Sequence, residues 1–246
     1  MSYFKYIIKF IYYYGSRFYC ICCDGHFRKM AGFKGSYYVM GNLVNSDTKN
    51  AVCPRCGGHM RYRFLLTFLK DYTNIFTEKI KLFQFAPEDQ TRKFIKKHDN
   101  IEYYAGDINP APYKDTTVTD IRDINFPDDS FDVLIASHVL EHVVEDRRAI
   151  GEVYRVVKPG GFAILVVPLY EKAFEDQSLD YNGREMMYGI GLHVRLNSFA
   201  DFKSKIESVG FKVTPYSFDE VLGNYVDRTE DTLYIRSDRY IFFCKK

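Results

Sequence analysis

The chain has 246 residues, enough for one large domain or for an α/β domain with a small satellite. Apolar residues make up 46% and charged residues 27%, which excludes a disordered chain, and no apolar run is long enough to span a bilayer. The net charge of +2 hides an asymmetry: residues 1–79 carry +8 and residues 80–246 carry −6, so the first segment is either a solvated basic surface or a face for an anionic partner.

Residues 1–17 read as a short helix, apolar and aromatic but interrupted by Lys5 and Lys9. No small-residue cleavage site follows, so a signal peptide is not expected. Residues 18–60 hold two tight cysteine pairs, with Gly25, Gly32, Gly35, Gly41, Gly57 and Gly58 marking turns. From Arg61 to about Tyr72 the recurrence of Phe64, Leu65, Phe68, Leu69 and Tyr72 predicts an amphipathic helix.

After Lys79 the pattern becomes alternating strands and helices. Ile80–Phe85 is a short apolar strand, and Pro87 opens a basic helix reaching His98. Ile101–Tyr104 and Thr116–Thr119 are the next strands. Phe131–Ala136 is a buried-type strand, followed by a helix to about Val157 that Pro159-Gly160-Gly161 interrupts. Phe162–Val167 is the following strand. Ser198 with Asp201 forms a capping box for a helix that buries Phe199, Phe202, Ile206 and Val209 and ends at Gly210. Phe211–Tyr216 and Tyr240–Phe243 close the sheet. Such alternation predicts a mostly parallel sheet with helices on both faces, and ligands at the carboxyl ends of its strands.

Cys20-Ile-Cys-Cys23 and Cys53-Pro-Arg-Cys56 are two C-x-x-C pairs. Two residues between cysteines let one turn aim both sulfurs at one ion, and two such turns complete a tetrahedral site. Cys20, Cys23, Cys53 and Cys56 are therefore the expected ligands of one structural zinc, with Cys22 as an extra thiol. Four closed ligands leave no open position, so the ion would be structural. This cysteine usage fits a reducing compartment, and the cytoplasm is expected. His138-Val-Leu-Glu-His142 also matches an H-x-x-E-H metallopeptidase pattern, but His138 directly follows a strand and the peptidase reading is disfavoured.

The segment from Ile101 to Pro168 orders Asp107, Asp120, Asn125-Phe-Pro-Asp-Asp-Ser-Phe-Asp132, Val-Leu-Ile-Ala-Ser-His138, Val-Leu-Glu141-His142 and Arg155-Val-Val-Lys-Pro-Gly-Gly161. These pieces in this order resemble the class I S-adenosylmethionine (SAM)-dependent methyltransferases, in particular the type 11 branch, over about Lys79 to Lys246. With Cys53-Pro-Arg-Cys-Gly57 and Arg61-Tyr-Arg63 ahead of it, the chain resembles bacterial-type methyltransferases that carry an N-terminal zinc segment. The resemblance implies a Rossmann-like α/β domain over 61–246 with a seven-stranded, mostly parallel sheet, and a zinc-binding module over 1–60. It implies a SAM site of Ala86, Glu88, Asp107, Asp120, Ile121, Ser137 and His138. Asp107 would take the ribose hydroxyls, Asp120 and Ile121 the adenine, and Glu88 the amino group of SAM. The first loop departs from the family's Gly-rich turn: it reads Phe85-Ala-Pro-Glu88, and Pro87 removes an amide donor.

In the loop after the fifth strand, His193 is a candidate general base and Arg195 an anion holder, with His138 as the other base candidate. Methyl transfer needs mostly positioning, and a base only where the acceptor must lose a proton. The favoured acceptor is a small molecule or glycan. An RNA acceptor contacting the basic segment through Arg61 and Arg63 stands as the alternative. A binding protein that keeps the fold without catalysis is the third reading.

Overall fold

The structure is a computed structural model, which describes residues 11–109, 115–188, 192–222 and 239–246. The N-terminal part is built of two antiparallel hairpins. In the first, β1 (Tyr14–Cys20) pairs with β2 (Gly25–Phe27). In the second, β3 (Ala31–Val39) pairs with β4 (Asn42–Val52). The turn between β3 and β4 has φ of 50° at Met40 and 76° at Gly41, two consecutive left-handed residues that match the twist of the flanking strands. The helix expected over 1–17 falls partly outside the described residues, and from Tyr14 the chain is strand. The reason is tertiary: Tyr14 and Phe18 both pair with Phe27 across a bulge, so the aromatic run serves a hairpin.

Helix α1 (Met60–Tyr72) leads into the main sheet, which is formed by β5 (Ile80–Phe85), β6 (Ile101–Asp107), β7 (Thr117–Val118), β8 (Phe131–Ser137), β9 (Val157–Val166) and the later strands β12 (Lys212–Ser217) and β13 (Tyr240–Lys245). Its order is β12-β13-β9-β8-β5-β6-β7, all parallel except β13, which runs antiparallel to both neighbours. Helices α2 (Asp89–Ile95), α3 (Asp146–Val156) and α5 (Phe199–Glu207) make the main crossovers, with α4 (Tyr181–Tyr188) and α6 (Phe218–Leu222) as short additions. Two short strands, β10 (Leu169–Tyr170) and β11 (Asn197–Ser198), pair beside the sheet.

The central strands bury both faces, as parallel strands do. Phe83, Leu134 and Leu165 point into one core with Ile150 and Val153 of α3 and Phe202 and Ile206 of α5. Leu82, Val133, Ile135 and Ile164 point into the other, with Phe64, Leu65, Phe68 and Leu69 of α1 and Phe218 of α6. Ile21 and Ala51 of the cysteine module join this second core, so the module packs on the same face as α1. The Ser198 side chain accepts from the Asp201 amide at 3.3 Å, the expected cap of α5.

Two boundaries differ from expectation. Helix α2 stops at Ile95 and gives way to tighter turns that reach His98. Strand β9 begins at Val157, before the Pro159-Gly160-Gly161 interruption, because a bulge against β8 absorbs that segment with Gly160 at φ 83°. A side chain at Gly161 would put its Cβ 2.6 Å from the Asp132 carbonyl, so the strand can pass there only as glycine.

Candidate active site

The cysteine cluster takes shape first. Cys20 and Cys23 flank the β1–β2 turn, and Cys53 and Cys56 flank the turn that precedes α1. One Sγ from each of Cys20, Cys23, Cys53 and Cys56 lies within 4.8 Å of the others. The Cys20–Cys56 and Cys23–Cys53 sulfurs are 3.8 and 3.7 Å apart. With metal–sulfur bonds near 2.3 Å, a tetrahedron has edges of roughly 3.8 Å, so these separations fit one zinc ion. The backbone fits too. The Gly58 amide donates to Cys56 Sγ at 3.3 Å, and Gly57, at φ 71°, donates to the Cys53 carbonyl. A Cβ at Gly58 would stand 3.1 Å from the sulfurs of Cys22 and Cys56. Burial and the neighbouring sulfurs push the Cys23 thiol above its ordinary range.

Arg63, which the RNA alternative would place at a nucleic-acid contact, is turned inward. It is 3% exposed and donates to the Asn50 and Ala51 carbonyls, which ties β4 to α1. Arg61 pairs with Glu88 at 3.2 Å.

The second constellation lies along the carboxyl edge of the sheet. Phe85 of β5 is in register with Gly106 of β6 and with Ala136 of β8. The next residue of each strand or its loop is therefore Ala86, Asp107 and Ser137, side by side where the strand order reverses, which is where such sheets bind ligands. Ala86 takes a left-handed conformation, φ 42°, and its amide donates to the Gly106 carbonyl at 2.8 Å. Alanine thus supplies the backbone turn that glycine supplies in the family's usual loop.

Polar contacts that the sequence did not announce anchor this loop. Buried Gln84 donates to Thr91 Oγ1 at 3.0 Å and accepts from the Tyr103 hydroxyl at 2.9 Å, and Thr91 donates to the Glu88 carbonyl. Gln90 Nε2 reaches the Cys56 carbonyl at 3.4 Å. A glutamine inside an apolar strand is the one sequence signal that could have pointed to this network.

Asp107 is partly exposed, and its Oδ1 accepts from the Asn109 amide at 2.8 Å in a local turn that fixes the carboxylate. Asp120 is engaged differently. Both its oxygens accept from the Arg122 guanidinium, at distances from 2.6 to 3.1 Å, and Arg122 holds its carboxyl below the usual range. Ile121 is buried and packs in the core beside Ile124. Arg155 donates to the Ile124 and Phe126 carbonyls, steadying the loop that carries Ile121.

Ser137 is buried, and His138 follows it in a left-handed conformation, φ 56°. His138 Nδ1 donates to Glu141 Oε1 at 3.1 Å. Glu141 is buried in the short 3-10 turn Leu140–His142. Burial opposes its ionisation, but the imidazoles of His138, His142 and His193 hold it below the usual carboxylate range. His193 is buried and packs against His142 with ring centroids 4.8 Å apart and planes inclined by 59°. Arg195 is not available to hold an anion: it is 3% exposed, ion-pairs with Asp146 and donates to the Val144 carbonyl at 2.6 Å.

Beyond β9 a groove of about 840 Å³ opens between the β10 segment and the start of β13. Leu169, Tyr170, Phe174, Leu196, Phe199 and Tyr240 line it, with Lys172 and Arg239 among them. Met40, at the tip of the β3–β4 hairpin, also lines it, and the Met40 amide donates to the Met187 carbonyl of α4 at 2.9 Å. The N-terminal module thereby reaches across to the edge of the sheet.

Residues 84–165, a third of the chain from the end of β5 to the end of β9, match the family model described as a methyltransferase domain. Among curated proteins the chain is similar to a ubiquinone/menaquinone biosynthesis C-methyltransferase of Hydrogenovibrio crunogenus, 35% identical over 72 residues, 27% of this chain and 28% of that one. It is also similar to a demethylmenaquinone methyltransferase of Clavibacter sepedonicus, 40% identical over 62 residues, 23% of this chain and 25% of that one. The matched segment thus spans about a quarter of the length of these relatives. Among solved structures, a SAM-dependent methyltransferase from Archaeoglobus fulgidus superposes with a TM-score of 0.53 at 18% identity, covering 75% of this chain and 94% of that one. Residues 84–165 thus carry a methyltransferase-domain segment, set in a fold shared with a solved SAM-dependent methyltransferase.

Proposed function

We propose that the protein transfers the methyl group of SAM to a small, aromatic acceptor, and that a zinc-bearing N-terminal module over residues 1–60 supports the transferase domain over 61–246. The observation that carries the cofactor reading is the alignment of Ala86, Asp107 and Ser137 at the strand-order reversal. In this reading Asp107 accepts from the ribose hydroxyls, and Ala86 lets the backbone approach the methionine part. Ile121 walls the adenine, Ser137 and His138 line the methyl-bearing end, and Glu88 faces the amino group. Asp120 contributes less, because Arg122 already occupies both oxygens.

SAM supplies an activated sulfonium methyl. The chain's own task is to hold donor and acceptor in line and to exclude water. The groove beside β10 favours a ring-bearing acceptor, since four of its lining residues are Tyr or Phe, with Lys172 and Arg239 available to an oxygen or acidic substituent. The quinone-biosynthesis names of the matched relatives point the same way. His138 is the candidate base at the strand end. His193 is held against His142 in the buried cluster and would act only through it. The inward turn of Arg63 removes one of the two arginines that an RNA acceptor would contact.

The test is titration calorimetry with SAM and S-adenosylhomocysteine, then transfer of isotopically labelled methyl to a hydroquinone series. Binding of both cofactor forms with label in the ring or its hydroxyl supports the reading. Wild-type protein that binds neither form refutes it.

A further inference from the structure

The cluster formed by Glu141, His142 and His193 is separate from the cysteine site, and the methyl-transfer reading makes no use of it as a unit. A carboxylate oxygen of Glu141 and one ring nitrogen of each histidine lie within 4.8 Å of one another. Glu141 is 1% exposed and His193 is 5% exposed, whereas His142 is exposed. Glu141 Oε1 accepts from His138 Nδ1, and the other oxygen, Oε2, is buried with no hydrogen-bond partner among the described residues. A buried carboxylate oxygen left unpaired costs free energy unless something else binds it.

Sequence neighbours Glu141 and His142 come together because they sit in a 3-10 turn. His193 is brought in from about 50 residues away by a backbone bond, Val194 N to Glu141 O at 2.9 Å. His142 Nδ1 donates to the Leu192 carbonyl at 3.1 Å, which fixes its tautomer and leaves Nε2 as the lone-pair nitrogen. A ring N–H held by a carbonyl is the arrangement that metal-binding histidines use to orient the ligating nitrogen.

We propose that Glu141, His142 and His193 form a second metal site, for a divalent first-row transition ion of the zinc or ferrous class, distinct from the Cys20/Cys23/Cys53/Cys56 cluster. Two imidazoles and one carboxylate are the donor set of sites that keep open coordination positions. The ligand atoms, within 4.8 Å of one another, would close to the roughly 3.3 Å separation that bonds near 2.0–2.1 Å require on binding an ion. His138 orients Glu141 from behind. Glu141 and His142 lie in the turn that follows β8, at the carboxyl edge of the sheet.

Cobalt titration of the purified chain, with zinc retained in the cysteine cluster, tests this. Cobalt that displaces zinc from the cysteines shows thiolate charge-transfer absorption, and cobalt in the Glu–His site does not. The expected result is one equivalent of cobalt without the thiolate signature, lost in His142→Ala and in Glu141→Gln. His142 is exposed, so His142→Ala keeps the fold testable. In His138→Ala the site weakens roughly 10- to 100-fold, as loss of an orienting partner does. Wild-type protein that takes up no such equivalent overturns the proposal, as does an equivalent that survives unchanged in both variants. SAM titration is a separate measurement, so failure here is distinguishable from failure of the cofactor reading.

Discussion

Arg61 Nε lies 3.2 Å from Glu88 Oε1, which joins the first turn of the helix after the cysteine module to the loop at the head of the main sheet. Gln90 makes a parallel link to the Cys56 carbonyl. The two side chains of the ion pair are 27% and 15% exposed, so its contribution to folding is under about 1 kcal/mol. Its effect is on position: it holds Glu88 over the loop of Ala86. Arg61→Gln should leave the melting temperature within about 2 °C of wild type and weaken SAM binding by up to roughly fivefold, read by calorimetry. Unchanged SAM affinity would show that Glu88 does not serve the cofactor.

Metal removal should act through the same links. The purified chain is expected to carry about one zinc in the four-cysteine site. Cys53→Ser should lose it, and Cys22→Ser should keep it, because Cys22 stands outside the set of four close sulfurs. Since Ile21 and Ala51 share a core with α1, the zinc-free variant should also lose stability and bind SAM more weakly. Elemental analysis and thermal melts check both. A folded, metal-free wild-type preparation sinks the assignment.

Asp107 and Asp120 differ in availability, and mutants should differ accordingly. Asp107→Ala should remove roughly 1.5–3 kcal/mol per lost charge-assisted bond, a loss of about tenfold or more in SAM affinity. Asp107→Asn should fall between. Asp120→Ala should weaken binding less, and should instead release Arg122 toward Glu145, 3.2 Å away. Equal losses in the two alanine variants would contradict this ranking.

The strands that bury both faces were legible because an apolar run such as Val133-Leu-Ile-Ala136 has no other home. The clustering of Cys20, Cys23, Cys53 and Cys56 was legible because it depends on local spacing. Less was visible where long-range pairing decides. The β3–β4 hairpin had only the Gly41 turn to announce it, and Arg63 reads as a surface cation until the Asn50 and Ala51 carbonyls are placed beside it. Arg195 and Asp146 lie 49 positions apart, so no pattern in the chain marks their pairing.

The Ala86 amide donates to the Gly106 carbonyl between β5 and β6, and the two residues should respond oppositely to substitution. Ala86 at φ 42° bears the steric cost of a left-handed residue, about 1–2 kcal/mol. Ala86→Gly relieves it and loses roughly 0.5–1 kcal/mol to unfolded-chain entropy, so a net gain of about 0.5–1 kcal/mol is expected in denaturant melts. At Gly106 a Cβ would collide with Thr119 Cγ2 and stand 2.5 Å from Phe83 Cζ, and Phe83 is fully buried. Gly106→Ala should cost about 1–3 kcal/mol and displace Asp107, lowering SAM affinity as well.

Asp146 sits at the start of α3 between Arg195 and Lys205, the latter at 2.9 Å. Burial opposes its ionisation, but the hydrogen bonds and charges of Arg195 and Lys205 outweigh burial and keep its carboxyl below the usual range. A carboxylate depressed in the folded state binds fewer protons there than in the unfolded chain. Its stabilisation is therefore full above the unfolded value near 4, and it drains away as pH falls through the lower folded value. Asp146→Asn leaves the buried Arg195 without this charge partner, and breaking a buried pair from one side costs about 3–5 kcal/mol, so a loss of that order is expected at neutral pH. The same variant should show a flatter decline of stability with acid below about pH 4, because the titrating group is gone. Urea melts of wild type and Asp146→Asn at neutral and acidic pH measure both effects. Parallel acid profiles for the two proteins would show that Asp146 is not depressed in the fold, and that Arg195 finds its compensation in Glu175 and the Val144 carbonyl instead.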